Sequence, residues 1–207
     1  MKEKEDAQYQ KMTQTPIYKL IPTLAVPTII SMLATALYNM ADTYFVSKLG
    51  TSASGAVGIL FSMMALIQAV GFTIGMGSGT QISRLLGKKE QKYAEAVSAS
   101  AILNGLVMGV LIAVVGMCFT EQIVRLLGAT ETIVPYAVDY ARYIFLATPM
   151  MITCFVLNNQ LRSEGKAKYS MIGILAGGLL NVALDPLFIF TFGLGISGAA
   201  IATALSQ

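Results

Sequence analysis

Residues 49–83 read LGTSASGAVGILFSMMALIQAVGFTIGMGSGTQIS, an unbroken run without aspartate, glutamate, lysine or arginine. A helix crossing the roughly 30 Å hydrocarbon core of a bilayer needs only about 20 such residues, so this stretch can span lipid with turns to spare. Further charge-free runs occupy residues 20–41, 96–120, 143–161, 169–184 and 186–207. Charged residues make up 12% of the 207-residue chain, against about 25% in a typical soluble domain, and they gather at the junctions between runs. A water-soluble chain of this length would need a polar surface that such runs do not supply. The sequence therefore predicts an all-α, polytopic membrane helical bundle of six transmembrane helices.

Basic residues set the expected orientation, because lysine and arginine concentrate in short cytoplasmic loops. Lys2, Lys4, Lys11 and Lys19 precede span 1; Arg84, Lys88, Lys89 and Lys92 follow span 2; Arg162, Lys166 and Lys168 follow span 4. Only Lys48, Arg125 and Arg142 fall on the other side. A cytoplasmic amino terminus in the cell membrane follows, with the loops after spans 1, 3 and 5 outside. The spans are expected at about 18–46, 54–82, 94–119, 134–160 and 169–192, with a sixth helix starting near 197 and edges uncertain by about 2 to 4 residues. From there to Gln207 a helix rises only about 16 Å, so the sixth is expected to be truncated and the chain to be a fragment lacking a second bundle, many transporters consisting of two related helical halves. Residues 1–16 read as a polar cytoplasmic tail and 17–207 as the six-helix lobe, with the second lobe absent.

The basic start, the apolar run and Ala34-Thr35-Ala36 imitate a secretory signal peptide. Pro22 and Pro27 inside the apolar run, and its length, argue that it is retained as span 1. Both prolines remove a backbone donor and predict a bent helix. Gly71, Gly75 and Gly79 on span 2, and Gly105 and Gly109 on span 3, form bare stripes where a neighbouring helix can approach closely. Cys118 and Cys154 form no ligand pattern and read as small buried hydrophobes. Met32, Met40, Met63 and Met64 are chiefly lipid or packing contacts, although methionines can also form an adaptable lining for apolar substrates. Asp139 and Arg142, at the outer start of span 4, read as a solvated pair.

Two acids stand inside the spans, Asp42 and Asp185, and a charge at mid-membrane costs from about 2.5 to well over 10 kcal/mol. Both lie at similar depth near the outer ends of outward-running spans. Asn181 precedes Asp185 by four residues and Tyr38 precedes Asp42 by four, which puts each pair on one helix face. Span 6 enters from outside after Gly193, Gly195 and Gly198 and brings Thr203 to a comparable depth. Two carboxylates, an amide and a hydroxyl are oxygen ligands suited to a monovalent cation such as Na+; without metal, the two acids can hold a proton. Pro186 frees the carbonyl of Val182 and adds an acceptor near this layer. Asn158 and Asn159, towards the inner end of span 4, face a vestibule or water.

Enzyme chemistry is tested by absence. The sequence has no histidine, which excludes HExxH zinc chemistry and Ser-His catalysis within this segment. The run Gly75-Met76-Gly77-Ser78-Gly79 lacks the phosphate-loop pattern, and Gly195-Ile196-Ser197-Gly198 lacks the histidine that a rhomboid-type serine would need. The chain is expected to be no enzyme, to carry no cofactor beyond a coupling ion, and to bind no nucleic acid.

The segment from Leu20-Ile21-Pro22 to Pro27, followed by Tyr38-Asn39-Met40-Ala41-Asp42-Thr43-Tyr44-Phe45-Val46, resembles the first helix of the multidrug and toxic compound extrusion (MATE) family. So do Ile82-Ser83-Arg84-Leu85-Leu86-Gly87, Leu161-Arg162-Ser163-Glu164-Gly165-Lys166, Asn181-Val182-Ala183-Leu184-Asp185-Pro186 and Gly198-Ala199-Ala200-Ile201-Ala202-Thr203. The resemblance runs from about residue 17 to the end. It implies a V-shaped, twelve-helix antiporter that exports drugs or other amphipathic small molecules in exchange for Na+ or H+, of which this chain is the amino-terminal lobe. Carried over, the cation site falls on Asp42, Asn181, Asp185, Thr203 and the carbonyl of Ala199, with Tyr38, Tyr140 and Asn158 in the adjoining hydrogen-bond network. Bending at Pro22, Pro27 and Pro186, membrane lipid and a second six-helix lobe complete the expectation. A lipid-linked oligosaccharide flippase of the same superfamily and a non-transporting membrane scaffold are the alternatives; no basic residue deep in the spans supports the flippase.

Overall fold

In the computed structural model, residues 9, 10, 12 and 14–207 are described. The tail expected over 1–16, with Lys2, Lys4 and Lys11, falls largely outside them. Seven α-helices follow one another among the described residues: α1 Ile17–Ser47, α2 Thr51–Gly87, α3 Gln91–Cys118, α4 Thr120–Leu126, α5 Val134–Ser163, α6 Ala167–Pro186 and α7 Gly195–Ser206, with a π-helical turn at Leu187–Thr191 between the last two. Among the described residues five helical segments are long and apolar enough to cross a membrane, the fifth being Ala167–Thr191, and α7 is a shorter apolar helix. The expected spans are all present. The short helix α4 was not expected; Arg125 on it holds Glu121 at 2.9 Å and Glu131 at 2.6 Å.

The chain reverses where the residues permit it. At the end of α5 the Lys166 N–H reaches the Leu161 carbonyl and the Gly165 N–H the Arg162 carbonyl, with Gly165 at φ 76°. This paired closure needs a left-handed residue, and glycine takes that conformation without a Cβ clash. The same pair of bonds ends α2, where Glu90 reaches Leu85 and Lys89 reaches Leu86, but there the left-handed residue is Lys89 at φ 61°. The Tyr9 hydroxyl donates to the Gly87 carbonyl at 3.4 Å beside this turn.

Helix α5 is the centre of the bundle. It carries twelve buried residues, and α2, α3, α4, α6 and α7 all pack against it. Lipid is as apolar as leucine, so association here depends on close backbone approach rather than on escape from water. The glycine stripes provide that approach. A methyl group on Gly71 or Gly75 would fall 2.8 Å from the Cβ of Phe155 or Asn159, and one on Gly109 would fall 2.5 Å from the Pro149 Cα. Both stripes thus face the same helix from two sides. A second group is built on α6: α1 lies along it, with the Tyr38 ring seated on Gly178, and α7 packs against both α6 and the π-helical turn, where Gly198 meets the Phe188 backbone.

Helix α1 continues through Pro22 and Pro27. Hydroxyls of Thr23, Thr28, Ser31 and Thr35 donate to carbonyls four residues back, so these polar side chains are satisfied within the helix itself. The methionines divide: Met63 is core, whereas Met32 and Met40 stand out from α1. Cys118 corrects the sequence reading. It is exposed at the end of α3 rather than buried, because the helix turns that face away from its neighbours, and both cysteines are free. Asp139 and Arg142 are both exposed and are not joined within ion-pair distance.

Candidate functional site

The acid on α6 is fully buried. Asp185 sits at 0% exposure on the last turn of α6, and Asn181 one turn earlier is also buried; the Asn181 Nδ2 donates to Asp185 Oδ1 at 3.4 Å. The four-residue spacing stacks them on the face turned inward. Pro186 follows and cannot donate to the Val182 carbonyl, and the chain passes directly into the π-helical turn. Such turns insert an extra residue into the helical ladder and are frequent at functional positions.

Asp42 reaches the same region from α1, five residues before that helix ends, and is half-buried. The two carboxylates lie within electrostatic reach of each other, and both act on the fully buried Tyr140 of α5. The Tyr140 hydroxyl faces Thr203 on α7 but has no hydrogen bond of acceptable geometry. Ala199, one turn before Thr203, is fully buried. Tyr38, one turn from Asp42, directs its hydroxyl towards Gln207 and Thr35 and senses the Asp42 charge. Four helices therefore contribute to one polar layer.

Every buried side-chain oxygen or nitrogen that lacks a hydrogen-bond partner among the described residues belongs to this layer: Asp42 Oδ1, Tyr140 Oη, Asn181 Oδ1 and Asp185 Oδ2. Leaving one such group unpaired costs about 1 to 3 kcal/mol, and more if it is charged. Their concentration at one place is what a binding site for a small positive species requires. The donors are hard oxygens, suited to an alkali cation or a proton. No group of three or more His, Cys, Asp or Glu side chains that could hold a metal ion occurs among the described residues.

Asn158 lies elsewhere. It follows Tyr140 by 18 residues on α5, about 27 Å along the axis, and takes part in a separate network in which Arg162 Nε donates to Ser170 Oγ at 3.2 Å and Ser170 donates to Asn158 Oδ1 at 2.9 Å. A related seam joins α2, α3 and α5: the Ser98 hydroxyl donates to Gln160 Oε1 at 2.9 Å, and Ser83 donates to the Ser163 carbonyl at 2.8 Å. Sequence reasoning missed Gln160, Ser98 and Ser170. Isolated serines and a glutamine in apolar runs show polarity but not which helix satisfies it.

Comparison with known proteins gives the family and the fold. The MatE family model aligns with residues 27–187. The multidrug export protein MepA of Staphylococcus aureus is 34% identical over 204 residues, 98% of this chain and 45% of that protein. MepA of Staphylococcus haemolyticus is 36% identical over the same length. The chain thus spans about half the length of the curated relatives it matches. Among solved structures, an outward-facing multidrug resistance MATE family transporter of the MOP superfamily superposes with a TM-score of 0.86 at 35% identity, covering 91% of this chain and 42% of that one. A MATE proline-to-alanine mutant reaches 0.89 at 33% identity, covering 96% and 44%.

Proposed function

The chain belongs to the MatE family of membrane transporters, and from that premise we propose that it is the amino-terminal lobe of a secondary active antiporter that exports amphipathic organic compounds in exchange for Na+ or H+. It is a multi-pass membrane protein of a transporter family, not an enzyme. In this assignment residues 1–16 are a cytoplasmic tail, 17–207 form the lobe, and a second six-helix lobe completes the transporter. The positive-inside bias puts the amino terminus in the cytoplasm.

The observation that carries this proposal is the collection of partnerless buried oxygens from α1, α5 and α6 at one level. Asp42 and Asp185 supply negative charge, the Asn181 amide oxygen, the Thr203 hydroxyl and the Ala199 carbonyl complete the ligand set, and Tyr38 and Tyr140 border it. The coupling ion is one of the two exchanged substrates, and each candidate neutralises the pair in its own way: sodium by coordination, a proton by occupying a carboxylate. Coupling needs the two transport states to differ in affinity for that ion. Occupation draws α1 towards α6, and the prolines of α1 together with the irregular turn after Pro186 absorb the change.

Transport by the two-lobe protein, with the sodium and proton gradients imposed separately, tests the proposal. Efflux of an amphipathic cation driven by one of these gradients, and its loss in Asp185→Asn, is the expected result. Undiminished gradient-driven efflux in that variant would remove the assignment.

A further inference from the structure

A second feature lies far from the acidic layer. A groove of about 640 Å³ runs between the half of α2 that ends at Gly87 and the half of α3 that begins at Gln91. Its walls alternate apolar side chains, Ile74, Leu85 and Val97, with uncharged polar ones, Gln81, Ser100 and Asn104. Gln81 and Asn104 are exposed and make no side-chain hydrogen bond among the described residues. An amide donor at this depth, without water or protein against it, is costly. An occupant suited to this lining accepts hydrogen bonds along part of its length and is oily along the rest.

The mouth of the groove identifies the occupant. Gly77, Gln81 and Leu85 line one wall at helical spacing, and Lys88 continues that row; Ala96, Ser100 and Asn104 line the other, and Lys92 continues it. Arg84 and Lys89 stand beside them, against the single acid Glu90 in the lining. The mouth thus has net positive charge where α2 and α3 meet the membrane surface, which complements an anionic headgroup. We propose that this groove is a binding site for one anionic phospholipid from the leaflet on the side of the α2–α3 turn. Lys88 and Lys92 hold its phosphate, Gln81, nearer that mouth, donates to an ester carbonyl, and its acyl chains follow the apolar wall past Asn104. The site does not depend on the cation layer or on the transport reaction.

The sequence contains no tryptophan, so Tyr93→Trp places one reporter in the groove lining. The chain carrying it is reconstituted into phosphatidylcholine vesicles with phosphatidylglycerol, brominated acyl chains being placed on one lipid at a time. Quenching by brominated phosphatidylglycerol should exceed that by brominated phosphatidylcholine by about threefold or more at equal mole fraction. The preference should fall to parity in Lys88→Gln/Lys92→Gln, weaken in Gln81→Leu, and survive Lys48→Gln at the opposite membrane surface. Equal quenching by the two lipids, or a preference that survives Lys88→Gln/Lys92→Gln, overturns the proposal. So does protection of the tryptophan by tetraphenylphosphonium in place of lipid, which would give the groove to an organic cation. Quenching relieved by raising the protein-to-lipid ratio also overturns it, by assigning the groove to a second copy.

Discussion

The two halves of this bundle solve the problem of living in lipid in opposite ways. Around α5, helices α2 and α3 approach until glycines meet backbone and Cβ atoms, and the polar side chains between them, Gln160, Ser98 and Ser163, have partners. Around α6, the helix ends in proline and a π-helical turn, and oxygens of Asp42, Asn181 and Asp185 lie buried without partners. In the first half these polar groups are satisfied, and the unpartnered Tyr140 hydroxyl of α5 belongs to the layer it shares with the second. The second leaves buried oxygens open, and on the proposed function a cation or proton completes it, which would be the difference between scaffold and site.

The most severe way to break this contrast acts on the incomplete half. Asp185→Asn in the two-lobe protein should reduce ion-driven efflux by roughly 5- to 150-fold, the range of a 1 to 3 kcal/mol coupling, with the protein still reaching the membrane. Efflux in everted vesicles measures it. In the complete half the corresponding injury is steric. Gly109→Val forces a side chain into the Pro149 backbone and should destabilise the lobe by up to about 3 kcal/mol. Gly173→Ala, where nothing lies within 4 Å, should be neutral or stabilise by up to about 1 kcal/mol through helix propensity. Unfolding in a denaturing detergent distinguishes the two.

Removing polar groups sharpens the comparison further. Gln160→Leu breaks the bond from Ser98 and should cost about 0.6 kcal/mol, up to about 1.7. Tyr140→Phe removes a hydroxyl with no partner and should leave the ion-free lobe unchanged or more stable. If both variants destabilise equally in the same assay, the distinction between satisfied and unsatisfied halves is lost.

The smallest effect belongs to the ion pairs of α4, outside the spans. The hydrogen bond from Arg125, and then its charge, hold the Glu131 carboxyl below its ordinary range, and both groups are exposed. A depressed carboxyl stabilises the fold above its unfolded pKa and loses that contribution as pH falls through its lower folded value. Glu131→Gln should therefore be nearly silent at neutral pH, exposed ion pairs being weak, and any difference from the parent should vanish on acidification. Thermal midpoints at two pH values check this.

Much of this organisation was legible because lipid imposes a length on every crossing segment. Charge-free runs located the five long helices and the start of α7, and the spacing of Asn181, Asp185, Tyr38 and Asp42 put each pair on one face. Partner choice was not legible. In a solvent as oily as the side chains, hydrophobic pattern does not reveal which helix is central, so the meeting of both glycine stripes on α5 appears only in three dimensions. The same gap separates Asn158 from Tyr140: both are polar positions on one helix, but nothing in the sequence says that Ser170 satisfies the first and that no side chain satisfies the second. Helix α4 escaped notice because seven residues with two charges carry no membrane signal. The irregular turn at Leu187–Thr191 was foreshadowed only by Pro186.

The thermal midpoint of the chain in detergent, followed against sodium concentration and separately against pH, tests the shared site most directly. One ligand at tenfold its dissociation constant stabilises a folded protein by about 1.4 kcal/mol. A cation held between Asp42 and Asp185 predicts a midpoint that responds to sodium or to pH and loses that response in Asp42→Asn/Asp185→Asn. A midpoint indifferent to both, or one whose response is unchanged in the double variant, would contradict it.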